Sequence, residues 1–231
     1  YVYVSGSAGV RSADELSGCY DGPIDSANTA RFRVEVIKVP LAHPEQAKVV
    51  NYAHIFNDLT APSAHGAAPG DANAPPRTPR PRPAGAPAMP RERTGPNQCH
   101  DITVYPAVGL AGGACGGYGL LLDIRDPANP KRLQAVGDTN FAFWHSATFN
   151  NAGTKVLFTD EWGGGTQPKC RFDDPIDWGG DAIFTINNGR LTQGAYFKMP
   201  AAQTKEENCV AHNGSLVPVP GRDIMVQGWY Q

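Results

Sequence analysis

Hydrophobic and polar residues alternate in short runs along this chain, and the runs predict β-strands rather than helices. Residues 31–39 alternate strictly, with Phe32, Val34 and Val36 on one face, which is the two-residue period of a strand. Residues 120–124 (LLLDI) form a run that is short and apolar enough for a buried strand. Because 26 glycines and 21 prolines punctuate such runs and no helix-length 3.6-residue period occurs, the pattern predicts an all-β fold.

The most informative segment is 118–138, in which a strand, a corner and a second strand follow one another. The corner has the sequence DPANP, at residues 126–130. Its two prolines fix their φ angles, and its Asp and Asn can cap a tight turn with their own side chains. The segment therefore predicts an antiparallel hairpin of the kind that is repeated in the blades of a β-propeller.

This segment resembles the LVIVD-repeat family of secreted bacterial β-propellers. The hallmark of that family is an apolar strand ending in Asp, followed by a short D-P-x-x-P corner, and here it reads LLLDIRDPANP over residues 120–130. Residues 31–40 and 181–187 carry weaker versions without the full corner. The resemblance implies a propeller fold and supports an extracellular or cell-surface location, and it implies very little about biochemical activity.

The strand patterns divide the chain into blades of four antiparallel strands, of which it holds about three. The predicted units are a partial blade at 1–56, a Pro/Ala/Arg-rich insertion at 57–98, a blade at 99–138, a blade with an inserted loop at 139–200, and a partial blade at 201–231. Since a propeller closes with roughly four to eight blades, we expect a fragment truncated at both ends. Its partners would be the missing blades of the same polypeptide, and apolar surface would be exposed at both ends.

The predicted strands can be stated residue by residue. They lie at 1–5, 31–39, 48–56, 100–105, 108–115, 118–124, 131–136, 145–149, 155–162, 181–186, 194–199, 212–219 and 223–230. The insertion at 57–98 lacks aromatic residues beyond Phe56 until Tyr105, so it cannot bury enough apolar surface to order itself. We expect a solvated loop there, with docking of its basic prolines on an acidic partner as the alternative.

Charge and hydropathy exclude several classes of partner. The net charge is −2, so no global field favours nucleic acid or an anionic membrane. No apolar run approaches the roughly 20 residues that a membrane-spanning helix needs. The glycine-rich segments lack the Lys-Ser/Thr of a phosphate-binding loop, and no G-x-S-x-G elbow marks a serine hydrolase.

The five cysteines indicate a disulfide-forming compartment, with a set of buried free thiols as the alternative. Cys99 begins one predicted strand and Cys115 ends its hairpin partner, so the two should lie opposite each other. Cys170 and Cys209 form the second predicted pair, since both lie at the same face of the predicted blades. Cys19 would then pair with a residue outside this sequence, although a Cys19–Cys99 bond is the alternative. We therefore expect a secreted or cell-surface protein.

A histidine recurs at the start of three innermost strands. His100, His145 and His212 are 45 and 67 residues apart, which fits a repeat of about 40 to 50 residues with one insertion. Innermost strands enter a propeller channel from the same face, so the three imidazoles should surround one mouth of that channel. Converging imidazoles are good ligands for a divalent metal ion, and carboxylates complete such sites.

Further candidate site residues lie at the same predicted face. Glu161 follows a strand and Glu207 precedes His212, so each is a candidate ligand, and Glu161 is also a candidate general base. The candidates for contact with a ligand at this face are Asp101, Trp144, Trp162 and Asn213. The alternative is structural, because an inward-facing histidine often bonds the backbone of a neighbouring blade.

Two classes of function follow from these patterns. The first is a binding or scaffold module with a His-rich axial site that holds a metal ion. The second is a metal-dependent enzyme, an oxidoreductase or hydrolase, with His100, His145 and His212 as ligands and Glu161 as the base. Imidazole nitrogens about 2.0–2.2 Å from a common point would mark a metal site, whereas histidines bonded to separate backbone carbonyls would mark a structural ring.

Overall fold

The computed structural model shows an all-β protein, which confirms the fold class predicted from the alternation pattern. It describes residues 1–5, 10–22, 26, 28–30, 33–60, 98–162, 168–169, 171–200 and 204–230. In this described part, short 3-10 turns occur at Pro44–Gln46 and Pro106–Val108, and no α-helix is present. It therefore holds no helix that is long and apolar enough to cross a lipid bilayer.

The strands form four antiparallel sheets, and strands that follow one another in sequence are neighbours in each sheet. The first sheet consists of β1 (Val2–Val4), β2 (Val34–Lys38) and β3 (Lys48–Ala53). The second consists of β4 (Cys99–Tyr105), β5 (Leu110–Cys115), β6 (Tyr118–Asp123) and β7 (Lys131–Val136). The third consists of β8 (Trp144–Phe149), β9 (Lys155–Asp160), β10 (Asp181–Asn187) and β11 (Arg190–Phe197). The fourth consists of β12 (Ala211–Val217) and β13 (Ile224–Trp229).

The second, third and fourth sheets pack through their first strands. β8 lies between β4 and β12 and contacts both of them. Each sheet is open in the part of the chain that the structure describes. Because β4, β8 and β12 lie side by side, residues at their starts are brought together although they are far apart in sequence.

The middle strand β6 is buried on both faces, which explains its continuous apolar run. Leu120 and Leu122 pack with Val34 of the first sheet, while Leu121 packs on the opposite face with Phe158 of the third sheet. Successive side chains of a strand point to opposite faces, so a strand between two sheets must be apolar at every position. The run LLL thus joins two hydrophobic cores.

The DPANP corner has the capped geometry that its residues predict. The two carboxylate oxygens of Asp126 accept hydrogen bonds from the Ala128 backbone N–H at 3.0 Å and from Asn129 Nδ2 at 2.7 Å. The Tyr3 hydroxyl donates to the Pro127 carbonyl at 2.8 Å, and Asn51 Nδ2 donates to the Ala128 carbonyl at 2.9 Å. The corner therefore also fastens the second sheet to the first.

The strands differ from their predicted bounds where local turns intervene. β11 begins at Arg190 rather than at 194, because Asn188 and Gly189 have φ angles of 50° and 72° and close a two-residue hairpin turn. β9 ends at Asp160 rather than at 162, because Trp162 has a left-handed φ of 35°. Phe32, most of the predicted insertion at 57–98, and Cys170 lie outside the described residues.

The predicted Cys99–Cys115 disulfide is confirmed, and it joins the first residue of β4 to the last residue of β5. The Cys19–Cys99 alternative is therefore wrong. The predicted Cys170–Cys209 bond stays a prediction, because one of its residues is not described. The confirmed disulfide is consistent with an extracellular protein.

Removing this disulfide should lower stability. The bond closes a loop with a sequence separation of 16 residues. Closing a loop of this length lowers the conformational entropy of the unfolded chain and so stabilises the folded protein by about 3 kcal/mol. We expect the Cys99→Ala, Cys115→Ala variant to lose about that much in free energy of unfolding, as measured by urea denaturation under non-reducing conditions. Unchanged unfolding midpoints for the variant and the natural protein would contradict this expectation.

A buried carboxylate joins the third and fourth sheets. Asp181 is fully buried, and its Oδ1 accepts a hydrogen bond from Gln227 Nε2 at 2.7 Å. Neither Asp181 Oδ2 nor Gln227 Oε1 has a hydrogen-bond partner among the described residues. Burial raises the pKa of Asp181 to about 7, although Gln227 and the Lys198 ammonium act in the opposite direction. A carboxyl group that keeps its proton in the folded state can donate to an amide oxygen, which a carboxylate cannot.

The stability of the natural protein should therefore contain a component that decreases as pH rises. The folded protein binds the Asp181 proton more tightly than the unfolded chain, so this component is complete below about pH 4 and is lost as pH rises through about 7. Asn at this position presents an uncharged amide at every pH. We expect Asp181→Asn to remove this component and to be more stable than the natural protein at pH 8, as measured by thermal unfolding across pH 4–9. The exposed Asp14→Asn substitution is the control, and a slope shared by all three proteins would contradict the expectation.

Candidate metal centre

The three repeated histidines occupy equivalent positions in three adjacent strands. His100, His145 and His212 are each the second residue of their strand, in β4, β8 and β12. The ring centroids of His100 and His145 are 4.0 Å apart, and those of His145 and His212 are 4.4 Å apart. The structure thus brings the three imidazoles into one row at the start of the packed strands.

Each of these histidines lies in an irregularity of its strand pairing. The register shifts between Cys99 and Asp101 in β4, between Trp144 and Ala147 in β8, and between Ala211 and Gly214 in β12. In each case the inner strand carries one residue more than the strand it pairs with. Such β-bulges redirect side chains and are frequent next to functional sites. The bulges explain how side chains from three strands are turned towards one point.

Glu161 lies close to two of these histidines, His100 and His145, and forms a group with them. One ligand atom from each of His100, His145 and Glu161 can be chosen so that all three atoms lie within 4.8 Å of one another. His145 is buried, Glu161 is half-buried and His100 is exposed. These three residues could hold a metal ion, and the group is reached from solvent on the His100 side.

Glu161 is positioned by the carboxylate that precedes it. Oδ1 of the fully buried Asp160 accepts hydrogen bonds from the backbone N–H groups of Ala142, Phe143 and Trp162 at 2.8–3.1 Å. Its Oδ2 accepts a hydrogen bond from the Gly179 N–H at 3.0 Å. The carboxylate thereby fixes the segments that precede β8, follow β9 and precede β10. Glu161 lies inside this network, and its own N–H bonds the Phe143 carbonyl at 3.0 Å.

The two carboxylate oxygens of Glu161 face different neighbours. Oε2 lies 3.5 Å from His145 Nε2. Oε1 accepts a hydrogen bond from the Tyr230 hydroxyl at 3.0 Å and lies 3.7 Å from His212 Nε2. Tyr230 and His212 therefore both approach Glu161 at the same oxygen, Oε1.

One ring nitrogen of His100 is hydrogen-bonded and the other remains available to a metal ion. His100 Nδ1 lies 3.1 Å from the His145 carbonyl oxygen, so a proton on Nδ1 makes this bond and leaves Nε2 as a lone-pair donor. A backbone carbonyl is a usual partner for the ring nitrogen of a metal-bound histidine that does not face the metal. The same bond is also expected if the histidines only hold neighbouring strands together. His145 Nδ1 has no partner in the described part of the chain.

Burial keeps His145 neutral. Its pKa is lowered to about 4, mainly by burial and also by the nearby His100 and His212, while the Glu161 and Asp101 carboxylates act in the opposite direction. A neutral imidazole carries the lone pair that a metal ion needs. At neutral pH His145 therefore has the protonation state of a ligand without losing a proton.

The remaining predicted site residues do not join this group. Glu207 accepts a hydrogen bond from the Thr204 N–H at 2.9 Å, in the loop before β12. Trp144 is buried in the core against Phe141 and Phe158, and Trp162 is buried beside Trp178.

Asn213 is exposed on β12, and Asp101 is half-buried on β4. Two aromatic residues beside the group are not among the site residues that the sequence predicts: Tyr230, whose hydroxyl bonds Glu161, and Phe143, whose ring centroid lies 5.5 Å from that of His100. The position of Phe143, two residues before His145, is the one signal that could have drawn attention to it.

Comparison of the chain with protein families, curated proteins and solved structures gives no match. The resemblance to the LVIVD-repeat family, the blade boundaries and the roles of the site residues therefore stay predictions. What the structure adds is the His100–His145–Glu161 group itself.

Replacing the Asp160 carboxylate should destabilise the protein. In Asp160→Asn, the amide group accepts fewer of the four backbone N–H groups and brings a donor towards them. We expect a loss of about 2 kcal/mol in free energy of unfolding, because hydrogen bonds to a charged group contribute roughly 1.5–3 kcal/mol. Urea denaturation measures this, with the exposed Asp173→Asn as the control. Equal stabilities of the two variants would show that the carboxylate is not needed.

Proposed function

We propose that this protein is a β-propeller binding or scaffold module that holds a divalent metal ion at His100, His145 and Glu161. The single observation that carries the proposal is the convergence of two imidazoles and one carboxylate within 4.8 Å. The bulged histidine positions and the Asp160 network support it, because both serve to direct these side chains to one point. A merely structural ring of histidines would not need a carboxylate among them.

The arrangement of the sheets supports the propeller part of this proposal. The first strands β4, β8 and β12 lie side by side, as the innermost strands of successive blades do. Each sheet is an antiparallel series of consecutive strands, which is the construction of a blade. A location that is secreted or at the cell surface belongs to the same proposal, and the Cys99–Cys115 disulfide supports it.

The donor atoms narrow the class of metal. Imidazole nitrogens suit zinc, copper, iron and nickel, whereas magnesium and calcium prefer oxygen donors alone. A site with two imidazoles and one carboxylate therefore favours a divalent first-row transition metal such as Zn²⁺.

A metal-dependent enzyme is the second candidate, and the number of ligands favours it. Structural zinc sites have four protein ligands, while catalytic sites have three and keep a position open. Two imidazoles with one carboxylate are also the donor set of open non-haem iron sites. In this version Glu161 is a ligand, rather than the base that the sequence suggested.

Metal binding by the purified full chain tests the proposal. We expect about one Zn²⁺ or Co²⁺ per chain by elemental analysis after dialysis, and saturable binding by calorimetry. His145→Gln and Glu161→Gln should each lower the affinity by about 100-fold or more, since even the outer-shell partners of ligands are worth roughly 10–100-fold.

The exposed pair His43 and Glu45 offers a matched control. These residues have a histidine nitrogen and a carboxylate oxygen 3.2 Å apart, away from the site. The His43→Gln, Glu45→Gln variant should bind metal as the natural protein does. If the natural protein holds no metal and His145→Gln only lowers the melting temperature, the histidines hold the sheets together and the proposal is wrong.

A further inference from the structure

Glu161 has one oxygen directed towards the histidines of the site and one that is already engaged. Oε1 accepts the hydrogen bond from the Tyr230 hydroxyl at 3.0 Å. His212 Nε2 lies 3.7 Å from the same oxygen, which is beyond hydrogen-bonding distance. Tyr230 is therefore the group that binds Oε1.

The phenol of Tyr230 is held in place by independent contacts. The backbone N–H of Tyr230 donates to the Val210 carbonyl at 3.0 Å. Its ring meets the His212 ring edge to face, with centroids 4.9 Å apart. Tyr230 follows directly on β13, so the fourth sheet presents a fixed hydrogen-bond donor to a residue positioned by the third.

A carboxylate can bind a metal ion through one oxygen or through both. The hydrogen bond from Tyr230 uses one of the two lone pairs of Oε1 and holds the carboxylate with Oε2 towards His145. Binding through both oxygens would therefore require the carboxylate to turn against this bond. With that bond kept, Glu161 supplies one donor atom, and the protein supplies three in all. The coordination sphere of a transition metal is then incomplete, and an external ligand can enter it.

We propose that Tyr230 is a positioning residue that restricts Glu161 to one coordinating oxygen, and so keeps a coordination position open for a small exogenous ligand. This inference rests on the metal site proposed above. It adds the class of ligand, a small donor such as water or an inorganic anion that binds the metal directly. It also gives the fourth sheet a part in the site without making its His212 a ligand.

Cobalt(II) and azide provide the test, since cobalt reports its coordination number through its visible absorption. The natural protein loaded with Co²⁺ should bind azide and change its spectrum. In Tyr230→Phe the freed Oε1 can occupy the open position, so azide affinity should fall by about tenfold, at the low end of outer-shell effects. Cobalt should still bind, with a visible spectrum that responds less to added azide.

Tyr105→Phe is the matched control. Tyr105 lies at the end of β4 far from the site, and its hydroxyl donates to the Asn151 carbonyl. This control should leave azide affinity unchanged. The inference is overturned if Tyr230→Phe binds azide within twofold of the natural protein, or if it loses cobalt altogether, which would make Tyr230 a ligand. If the natural protein binds no cobalt, the metal site itself fails, and that result is distinct from both of these.

Discussion

Much of the structure around the candidate site depends on the carboxylate of Asp160. Its two oxygens accept hydrogen bonds from four backbone N–H groups, which belong to three segments flanking strands of the third sheet. A buried N–H group without a partner costs about as much as a lost hydrogen bond, so these segments could not approach one another without an acceptor between them. The side chain next in sequence, Glu161, is held in the same network. A structural carboxylate and a candidate ligand thus occupy consecutive positions, and the first orients the second.

The sequence predicts the strands well where their signals are local. The strict alternation around Val34 and Val36 corresponds to a buried strand face, and the DPANP corner is capped by its own side chains. β11 begins earlier than predicted because Asn188 and Gly189 close a hairpin turn, and Asn-Gly is a strong local signal for such a turn. The uninterrupted run at 120–122 identifies a buried strand, but not that it has a sheet on each side. That fact depends on contacts between segments far apart in sequence.

The candidate site shows the same division between local and non-local information. The repeated histidines are visible in the sequence because each stands at a strand start. Their alignment depends on the three bulges. A bulge arises when a strand pairs with its neighbour, so the alternation of apolar and polar residues within the bulged strand does not reveal it. Trp144, adjacent to one of these histidines, points into the core instead of towards a ligand. The contact between Glu161 and Tyr230 joins residues 69 positions apart, and no spacing rule predicts it.

The bulges also bear on how such a site can change in evolution. A bulged residue is the extra residue of its strand and takes no place in the regular pairing, so its side chain can be exchanged without disturbing the register of the sheet. His100 and His212 are both at least partly accessible to solvent, so replacing either imidazole leaves no large cavity in the core. The second and fourth sheets can therefore each gain or lose an imidazole beside the site by a single codon change. The composition of the site can diverge between related proteins while the strands that carry it stay the same.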